Sequence, residues 1–407
     1  MPVLRNIAVL ATCSPHGPQS DAHVIANAAL VWEGETIRWV GAESDLPSDH
    51  ANLPSEDAAG RLVIPGLVDC HTHLAFGGWR AEEFAQRIQG RSYLEIAAAG
   101  GGIASTVAQT RAASREELVA RGRDHLTGMA RLGVTTVETK SGYGLSTEHE
   151  LRLLEIYREL SDGPQRIVPT LLAAHVVPAD YRDRRAEYVR LVVGEMIPEA
   201  ARRNLARFCD VFVEDSAFSL DEARAILQAG MAHGLAPKLH ADQLTSGGGA
   251  ELAADLGAAS ADHLEHISER GIARMAEDGI VAVSLPFASL YLHQAPLPAR
   301  RLLEAGVPVG VATDFNPGTA PSYHLPVAMT LACVHQRMTP AEALKGATIV
   351  AARAIRLDAE IGSLEPGKSA DFAVLDASSV EQWLYHLRAN ACVRTVARGR
   401  DLWRAVA

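Results

Sequence analysis

The 407-residue sequence has few cysteines, no long apolar run and no excess of positive charge. Its five cysteines are scattered and form no C-x-x-C pair, which argues against a disulfide scaffold or a cysteine-bound zinc knuckle. The apolar stretches are shorter than the roughly 20 residues of a membrane span, and the first residues lack the apolar region of a signal peptide. A net charge of -11 repels phosphate backbones and anionic lipid headgroups. We therefore expect a cytoplasmic protein that binds neither nucleic acid nor membranes.

Most of the chain alternates between apolar runs and amphipathic stretches. Eight runs rich in Val, Ile and Leu predict strands, at residues 62–69, 134–139, 167–173, 211–214, 237–239, 258–262, 280–285 and 307–312. Stretches between them, such as 116–132 and 220–233, predict helices. Apolar runs without polar alternation are typical of parallel strands covered on both faces. Eight such units predict a (β/α)8 barrel. The alternative is a doubly wound open sheet, which is disfavoured because no G-x-G-x-x-G follows an early strand.

Both ends of the chain differ from this middle part. Residues 29–40 predict two short strands joined by a turn at Glu33-Gly34, and residues 371–375 and 393–403 are also typical of strands. We expect the two ends, residues 1–62 and 362–407, to form one small β domain beside a barrel of residues 63–361. Pro65-Gly66 and Pro366-Gly367 mark the boundaries.

Residues able to bind a metal follow several predicted strands. His71 and His73 come directly after the first strand, and alternation along an extended segment turns both side chains to the same side. An arbitrary H-x-H pair, or a lone strand-end histidine, is more often structural, but these residues occupy the strand ends at which a barrel carries its chemistry. Further candidates at equivalent positions are His175, His240, His263 and Asp314. Imidazole nitrogens with one carboxylate suit a divalent cation such as zinc or iron(II).

Six segments extend this pattern to a known family. They are residues 93–96 with 100–103, 138–145, 174–178, 238–243, 260–265 and 313–319. Together with the His71-x-His73 strand end, they resemble the metal-dependent amidohydrolase superfamily over nearly the whole predicted barrel. The resemblance implies a (β/α)8 TIM-like barrel of the amidohydrolase type, with a small β-sandwich domain built from both chain termini. It also implies a homodimer.

The resemblance assigns metal binding to four residues, which are His71, His73, His240 and Asp314. The two-metal branch of the superfamily has a carboxylated lysine after the fourth strand, where this chain has Glu214 and Asp215. We therefore expect one divalent ion, zinc or iron. Lys140, after the second strand, is interpreted as an ion-pair or loop lysine.

A narrower resemblance points to a branch that hydrolyses a small anionic heterocycle, a cyclic amide with a propionate tail. It implies substrate contacts from Arg80, Tyr143, His175, Gln243, Asn316, Gly318 and Thr319. Arg80 would bind the carboxylate, because a guanidinium presents paired donors. The catalytic residues implied are Asp314, as proton carrier, His263, as hydrogen-bond partner of the attacking water or the oxyanion, and Gln243. An amide cannot act as a base at neutral pH, so Gln243 either contributes to catalysis in another way or only orients the substrate.

Two alternatives stay open at this point. A related aminohydrolase would deaminate a purine, pyrimidine or triazine ring, and such a substrate has no propionate for Arg80 to bind. A barrel that has lost its activity would be a non-catalytic scaffold, although retention of all the metal positions argues against this.

Overall fold

The computed structural model describes residues 1–92, 95–96 and 99–405. Tyr93 and Leu94, which belong to the first of the predicted motif segments, lie outside the described residues. The strands are β1 (Val3–Ala11), β2 (Val24–Glu33), β3 (Thr36–Ala42), β4 (Ser55–Pro65), β5 (Leu67–Asp69), β6 (Val134–Lys140), β7 (Arg166–Ala174), β8 (Phe208–Val213), β9 (Ala236–Ala241), β10 (Ser260–His263), β11 (Val281–Ser284), β12 (Val309–Val311), β13 (Phe372–Leu375), β14 (Cys392–Ala397) and β15 (Arg400–Arg404). They form two sheets, one of seven strands and one of eight.

Helices separate most of these strands. In the described part of the chain they are α1 (Ser48–Ala51), α2 (Ala81–Ile88), α3 (Ile103–Ala112), α4 (Arg115–Arg131), α5 (Thr147–Leu160), α6 (Arg185–Leu191), α7 (Ile197–Arg202), α8 (Leu220–Ala232), α9 (Gly249–Asp255), α10 (Glu269–Asp278), α11 (Pro286–Leu292), α12 (Ala299–Glu304), α13 (Leu325–Gln336), α14 (Pro340–Gly346), α15 (Ile349–Ala354) and α16 (Val380–Tyr385). Among the described residues, no helix combines the length and apolar character that crossing a membrane requires.

The seven-stranded sheet joins the two ends of the chain in the order β15-β14-β13-β4-β1-β2-β3. Strand β13 pairs antiparallel with β4, which places Phe372 opposite Pro65. On one face of this sheet, Phe372 packs against Trp32 with their ring centroids 5.2 Å apart. The prediction of a β domain built from both termini is confirmed.

One predicted strand is in fact two. The run at 62–69 divides at Gly66, so that its first part belongs to β4 in the terminal sheet and its second part is β5 in the barrel. A Cβ atom on Gly66 would lie 2.2 Å from the Thr135 hydroxyl oxygen. Only glycine allows this corner to approach β6 so closely. The apolar character of the run continues across the corner, and therefore hides it from the sequence pattern.

The eight-stranded sheet is parallel and runs in sequence order from β5 to β12. All eight predicted strands are present, and every residue of β6 and β8 is buried, as the continuous apolar runs indicate. Sequential order without a reversal identifies a (β/α)8 barrel, and the open-sheet alternative is wrong.

The barrel closes between its first and last strands through backbone contacts just beyond β5 and β12. Thr72 forms a parallel bridge with Phe315. The His73 N–H donates to the Phe315 carbonyl at 2.8 Å, and the Asp314 N–H donates to the His71 carbonyl at 3.0 Å. Closure therefore places the H-x-H segment directly beside Asp314.

A buried carboxylate reinforces this junction. Asp69 accepts hydrogen bonds from the backbone N–H of Thr313 at 3.0 Å and from its hydroxyl at 2.6 Å. Burial raises the pKa of Asp69 to about 7, although the bonds from Thr313 oppose this shift. Both bonds link the end of β5 to the segment that follows β12.

Candidate active site

Four histidines and one aspartate meet at the carboxyl ends of the barrel strands. His71 and His73 follow β5, His240 lies in β9, His263 ends β10 and Asp314 follows β12. The ring centroids of His71 and His240 are 4.6 Å apart. Nitrogen atoms of His71, His73 and His240 lie within 4.8 Å of one another, and so do ligand atoms of His71, His263 and Asp314. This group can bind a metal ion.

Two of these histidines are oriented by carboxylates behind them. His71 Nδ1 donates to Asp262 at 2.6 Å, and His240 Nδ1 donates to Asp210 at 3.1 Å. The buried Nε2 atom of each ring has no hydrogen-bond partner among the described residues. Metal-binding histidines are typically held in this way, with one nitrogen on a carboxylate and the other on the metal. The donor set thus fits a divalent cation.

The supporting carboxylates belong to a buried ion-pair network. Lys140 Nζ lies 2.9 Å from Glu138 and 2.8 Å from Asp210, while Lys238 Nζ lies 3.6 Å from Asp262. Lys238 holds the pKa of Asp262 below its ordinary value although burial opposes this shift. Paired ammonium groups offset part of the cost of burying these carboxylates. The interpretation of Lys140 as an ion-pair lysine agrees with these contacts.

Burial favours the neutral forms of His71 and His73. It lowers the pKa of His71 to about 3, with Lys140 adding to the effect, and it also lowers the pKa of His73. Asp314 is instead held in its charged form. Its interactions with His71 and His73 keep its pKa well below the usual range, although burial opposes this shift. Its Oδ1 lies 3.4 Å from His71 Nε2 and 3.5 Å from His73 Nε2. Neutral imidazoles and an ionised carboxylate are the protonation states that ligate metals.

A cavity of about 290 Å³ opens over this group. Predicted site residues in its wall are His73, Arg80, His175, His240, Gln243, His263, Asp314, Asn316 and Thr319. Of the predicted residues, all of which the structure describes, His71, Tyr143 and Gly318 are not among those lining the cavity. His71 instead lies beneath the wall, fully buried.

Arg80 is a buried guanidinium in this wall. The residue is 6% exposed, its Nη1 lies 3.8 Å from Glu83, and its Nε has no hydrogen-bond partner in the described part of the chain. A Cβ atom on Gly318 would lie 1.4 Å from Arg80 Nη2, so the backbone of Gly318 packs directly against the guanidinium. Gly318 thus shapes the position of Arg80 and leaves no room there for a larger residue.

The remaining predicted contacts form two supporting groups. His175 donates through Nδ1 to the Gly142 carbonyl at 3.0 Å and stacks on His73 at 5.4 Å. Tyr143 is buried against both rings, 5.3 Å from His73 and 5.4 Å from His175. Asn316 braces the loop after β12 by accepting the N–H groups of residues 318 and 319, each at 2.8 Å.

Sequence patterns missed several residues of the site. Asp210 and Asp262 orient the histidines, and Phe212 and Arg182 line the cavity. One usable signal was present, because Asp210 interrupts the apolar run of β8, where an unpaired carboxylate would be costly. Arg182 gave no such signal, since it lies in a mixed charge run that is typical of a solvated surface.

Comparison with known proteins agrees with this geometry. Residues 62–401 match the Amidohydrolase family. The chain belongs to the amidohydrolase family. Among amidohydrolases it is 48% identical to the imidazolonepropionase of Geobacillus thermodenitrificans over 386 residues, which cover 94% of this chain and 91% of the relative. It is also 48% identical to the imidazolonepropionase of Anaeromyxobacter sp. (strain K) over 411 residues, covering 100% and 96%.

These relatives place the chain among the imidazolonepropionases, hydrolases that act on cyclic amides, and the predicted family membership is confirmed. Solved amidohydrolase-type structures share the fold at much lower identity. E. coli guanine deaminase superposes with a TM-score of 0.76 at 17% identity, covering 99% of this chain and 100% of that one. The 5-methylcytosine deaminase of Klebsiella pneumoniae gives 0.75 at 17% identity, covering 100% and 98%.

The first prediction concerns metal content. His71→Ala and His240→Ala should each reduce the metal retained after dialysis from one ion per chain toward zero, because each removes a buried nitrogen aimed into the cluster. Mass spectrometry of the metals in purified protein measures this. His233→Ala, which changes an exposed histidine, is the matched control and should keep the wild-type content. Stoichiometric metal in both cluster variants would refute the site.

The second prediction concerns pH and the stability of the protein in the presence of a chelator. Burial lowers the folded-state pKa of His71, His73 and His175, so unfolding takes up protons below the ordinary histidine value of 6.5. The stability that these neutral histidines contribute is fully present above pH 6.5 and is lost as the pH falls toward their lowered pKa values. Between about pH 7.5 and about pH 5.5 this histidine contribution to the free energy of unfolding by urea should fall, whereas Asp69, with its pKa raised to about 7, contributes in the opposite direction in wild type and variants alike. The fall should be smaller in His71→Asn than in His233→Asn, and equal slopes would contradict the assignment.

Proposed function

We propose that this amidohydrolase hydrolyses 4-imidazolone-5-propanoate to N-formimidoyl-L-glutamate, a ring-opening step of histidine degradation. One divalent ion, zinc or iron, would be held by His71, His73, His240 and Asp314. The observation that carries the proposal is the presence of a buried guanidinium, Arg80, in the same small cavity as the metal-binding group. The metal-binding group suits an amide carbonyl, and the guanidinium of Arg80 suits a carboxylate tail.

Arg80 supports the choice of substrate. A carboxylate that enters the cavity can pair with a guanidinium whose only ion-pair partner among the described residues is the long contact to Glu83. Charge-assisted bonds of this type are strongest away from water, and the wall that contains Arg80 is largely buried. A ring without a carboxylate would leave the guanidinium of Arg80 poorly paired, which disfavours the deaminase alternative.

The polar wall orients the ring. Gln243 can donate and accept hydrogen bonds at the same time, and it lines the cavity three residues after His240. Its amide takes no part in proton transfer at neutral pH. We assign it the orientation of the ring, together with Tyr143, His175, Asn316, Gly318 and Thr319.

Hydrolysis adds the oxygen of water to the ring carbonyl carbon, breaks the amide C–N bond and leaves the proton on the departing nitrogen. A bound divalent cation lowers the pKa of a water ligand and polarises the carbonyl. Asp314 is ionised and faces His71 and His73, so its carboxylate can accept the proton from the attacking water and deliver it to the ring nitrogen. His263 hydrogen-bonds to the water or to the developing oxyanion.

The substrate is tested by direct assay. Freshly generated 4-imidazolone-5-propanoate should be consumed with release of N-formimidoyl-L-glutamate, while guanine, cytosine and triazine substrates give no ammonia above background. The expectation follows because only the first substrate carries a carboxylate that Arg80 can bind. Deamination of a ring substrate at a higher kcat/KM than ring opening would overturn the proposal in favour of an aminohydrolase.

Arg80→Ala should raise KM for 4-imidazolone-5-propanoate and lower kcat/KM by about a hundredfold, since a charged hydrogen-bonded pair in a buried site is worth roughly 2 to 3 kcal/mol. Steady-state kinetics measures the change. Arg202→Ala, at an exposed arginine paired with Glu199, is the matched control and should behave as wild type. Unchanged kcat/KM in Arg80→Ala would remove Arg80 from the substrate site.

The cytoplasmic location and the homodimer implied by the resemblance remain predictions. We also propose the domain boundaries 1–62, 63–361 and 362–407. Residues 63–65 form the end of β4 and therefore pair within the terminal sheet.

A further inference from the structure

Glu265 lies two residues after His263 and has no role in the hydrolysis described above. The residue is 8% exposed. Its Oε1 accepts the hydroxyl of Ser289 at 2.8 Å, which ties it to helix α11. Its Oε2 is buried and has no hydrogen-bond partner among the described residues. A buried carboxylate oxygen without a partner is costly, so this position requires an explanation.

The atom that faces Glu265 is also without a partner. His263 Nδ1 lies 3.8 Å from Glu265 Oε2, within ion-pair distance, and forms no hydrogen bond to any other described residue. A neutral imidazole carries one proton, on either Nδ1 or Nε2. An ionised carboxylate can only accept, and therefore favours the form with the proton on Nδ1. Nε2 then keeps its lone pair on the other side of the ring.

The backbone holds both residues in place. His263 has a φ of 80° and Leu264 has a φ of 67°, in the left-handed region that non-glycine residues rarely adopt. The Leu264 N–H donates to the Ala241 carbonyl at 3.0 Å, which anchors this turn to the end of β9. Strained backbone of this type persists where the surrounding structure determines it, and it occurs often at functional sites.

Gln243 makes the state of His263 more important in this chain. An amide at position 243 cannot take a proton from water, so the water depends on Asp314 for proton transfer and on His263, in the same cavity wall, for a hydrogen bond. With its proton on Nδ1, His263 can accept a hydrogen bond from the attacking water through Nε2.

We propose that Glu265 is a positioning residue that holds the His263 proton on Nδ1 and keeps Nε2 available to the reacting water. The proposal rests on the proposed hydrolysis, to which it adds a carboxylate behind His263. It accounts for both the unpaired oxygen of Glu265 and the unpaired nitrogen of His263 that faces it.

Glu265→Gln is the informative variant because it has nearly the same shape. The Ser289 hydroxyl donates to the amide oxygen, which turns the NH2 group toward His263 Nδ1 and favours the proton on Nε2. We expect kcat to fall by about tenfold, less than the roughly 10²- to 10⁴-fold contribution of an acid–base group itself, while KM changes by less than about threefold. Glu251→Gln is the matched control, since Glu251 also accepts a serine hydroxyl, from Ser268 at 2.7 Å, but does not line the cavity.

The proton position is read directly from long-range ¹H–¹⁵N spectra of ¹⁵N-histidine-labelled, zinc-loaded protein, with His263→Gln used to assign the signal. Wild type should show His263 protonated on Nδ1, and Glu265→Gln should shift the proton toward Nε2. A folded Glu265→Gln protein with wild-type kcat, or one with reduced kcat and an unchanged tautomer, overturns the proposal. The spectra need no turnover, so failure of the proposed reaction would be recognised separately, by a wild-type protein that does not open the ring.

Discussion

The junction between the first and last barrel strands is the constraint on which the candidate site depends. The bridge from Thr72 to Phe315 closes the barrel and holds the H-x-H segment against the segment that carries Asp314. Without it, the two histidines that follow β5 would be separated from the carboxylate of Asp314, which follows the last strand at the other edge of the sheet. Asp69 adds two side-chain hydrogen bonds across the same junction, so the geometry of the metal-binding group is fixed by the fold itself.

Much of this could be predicted from sequence because the signals are local. The barrel strands are continuous apolar runs, and His71 and His73 share a face because strand side chains alternate. The corner at Gly66 was missed because it depends on tertiary packing. A Cβ atom at position 66 would lie too close to Thr135, which belongs to the neighbouring strand β6. The carboxylates behind the histidines were missed for a related reason. Asp262 lies 191 residues from His71, and no spacing rule links them until the barrel closes.

Overall charge and local charge act separately in this protein. The chain carries a net charge of -11, yet its proposed substrate is an anion. Recognition is assigned instead to Arg80, buried in the cavity wall, and to a candidate metal-binding group in which burial favours the neutral forms of His71 and His73. Carboxylates such as Asp262 stand behind the histidines and are themselves paired with Lys238. The Lys238–Asp262 pair thus lies directly behind His71 and orients its ring without adding net charge to the cavity.

The most direct test of the central claim is an anomalous diffraction measurement at the zinc and iron absorption edges on crystals of the purified protein. We expect one peak per chain, surrounded by the side chains of His71, His73, His240 and Asp314. A peak at another position, or no peak in crystals of protein that still opens the imidazolone ring, would contradict the account.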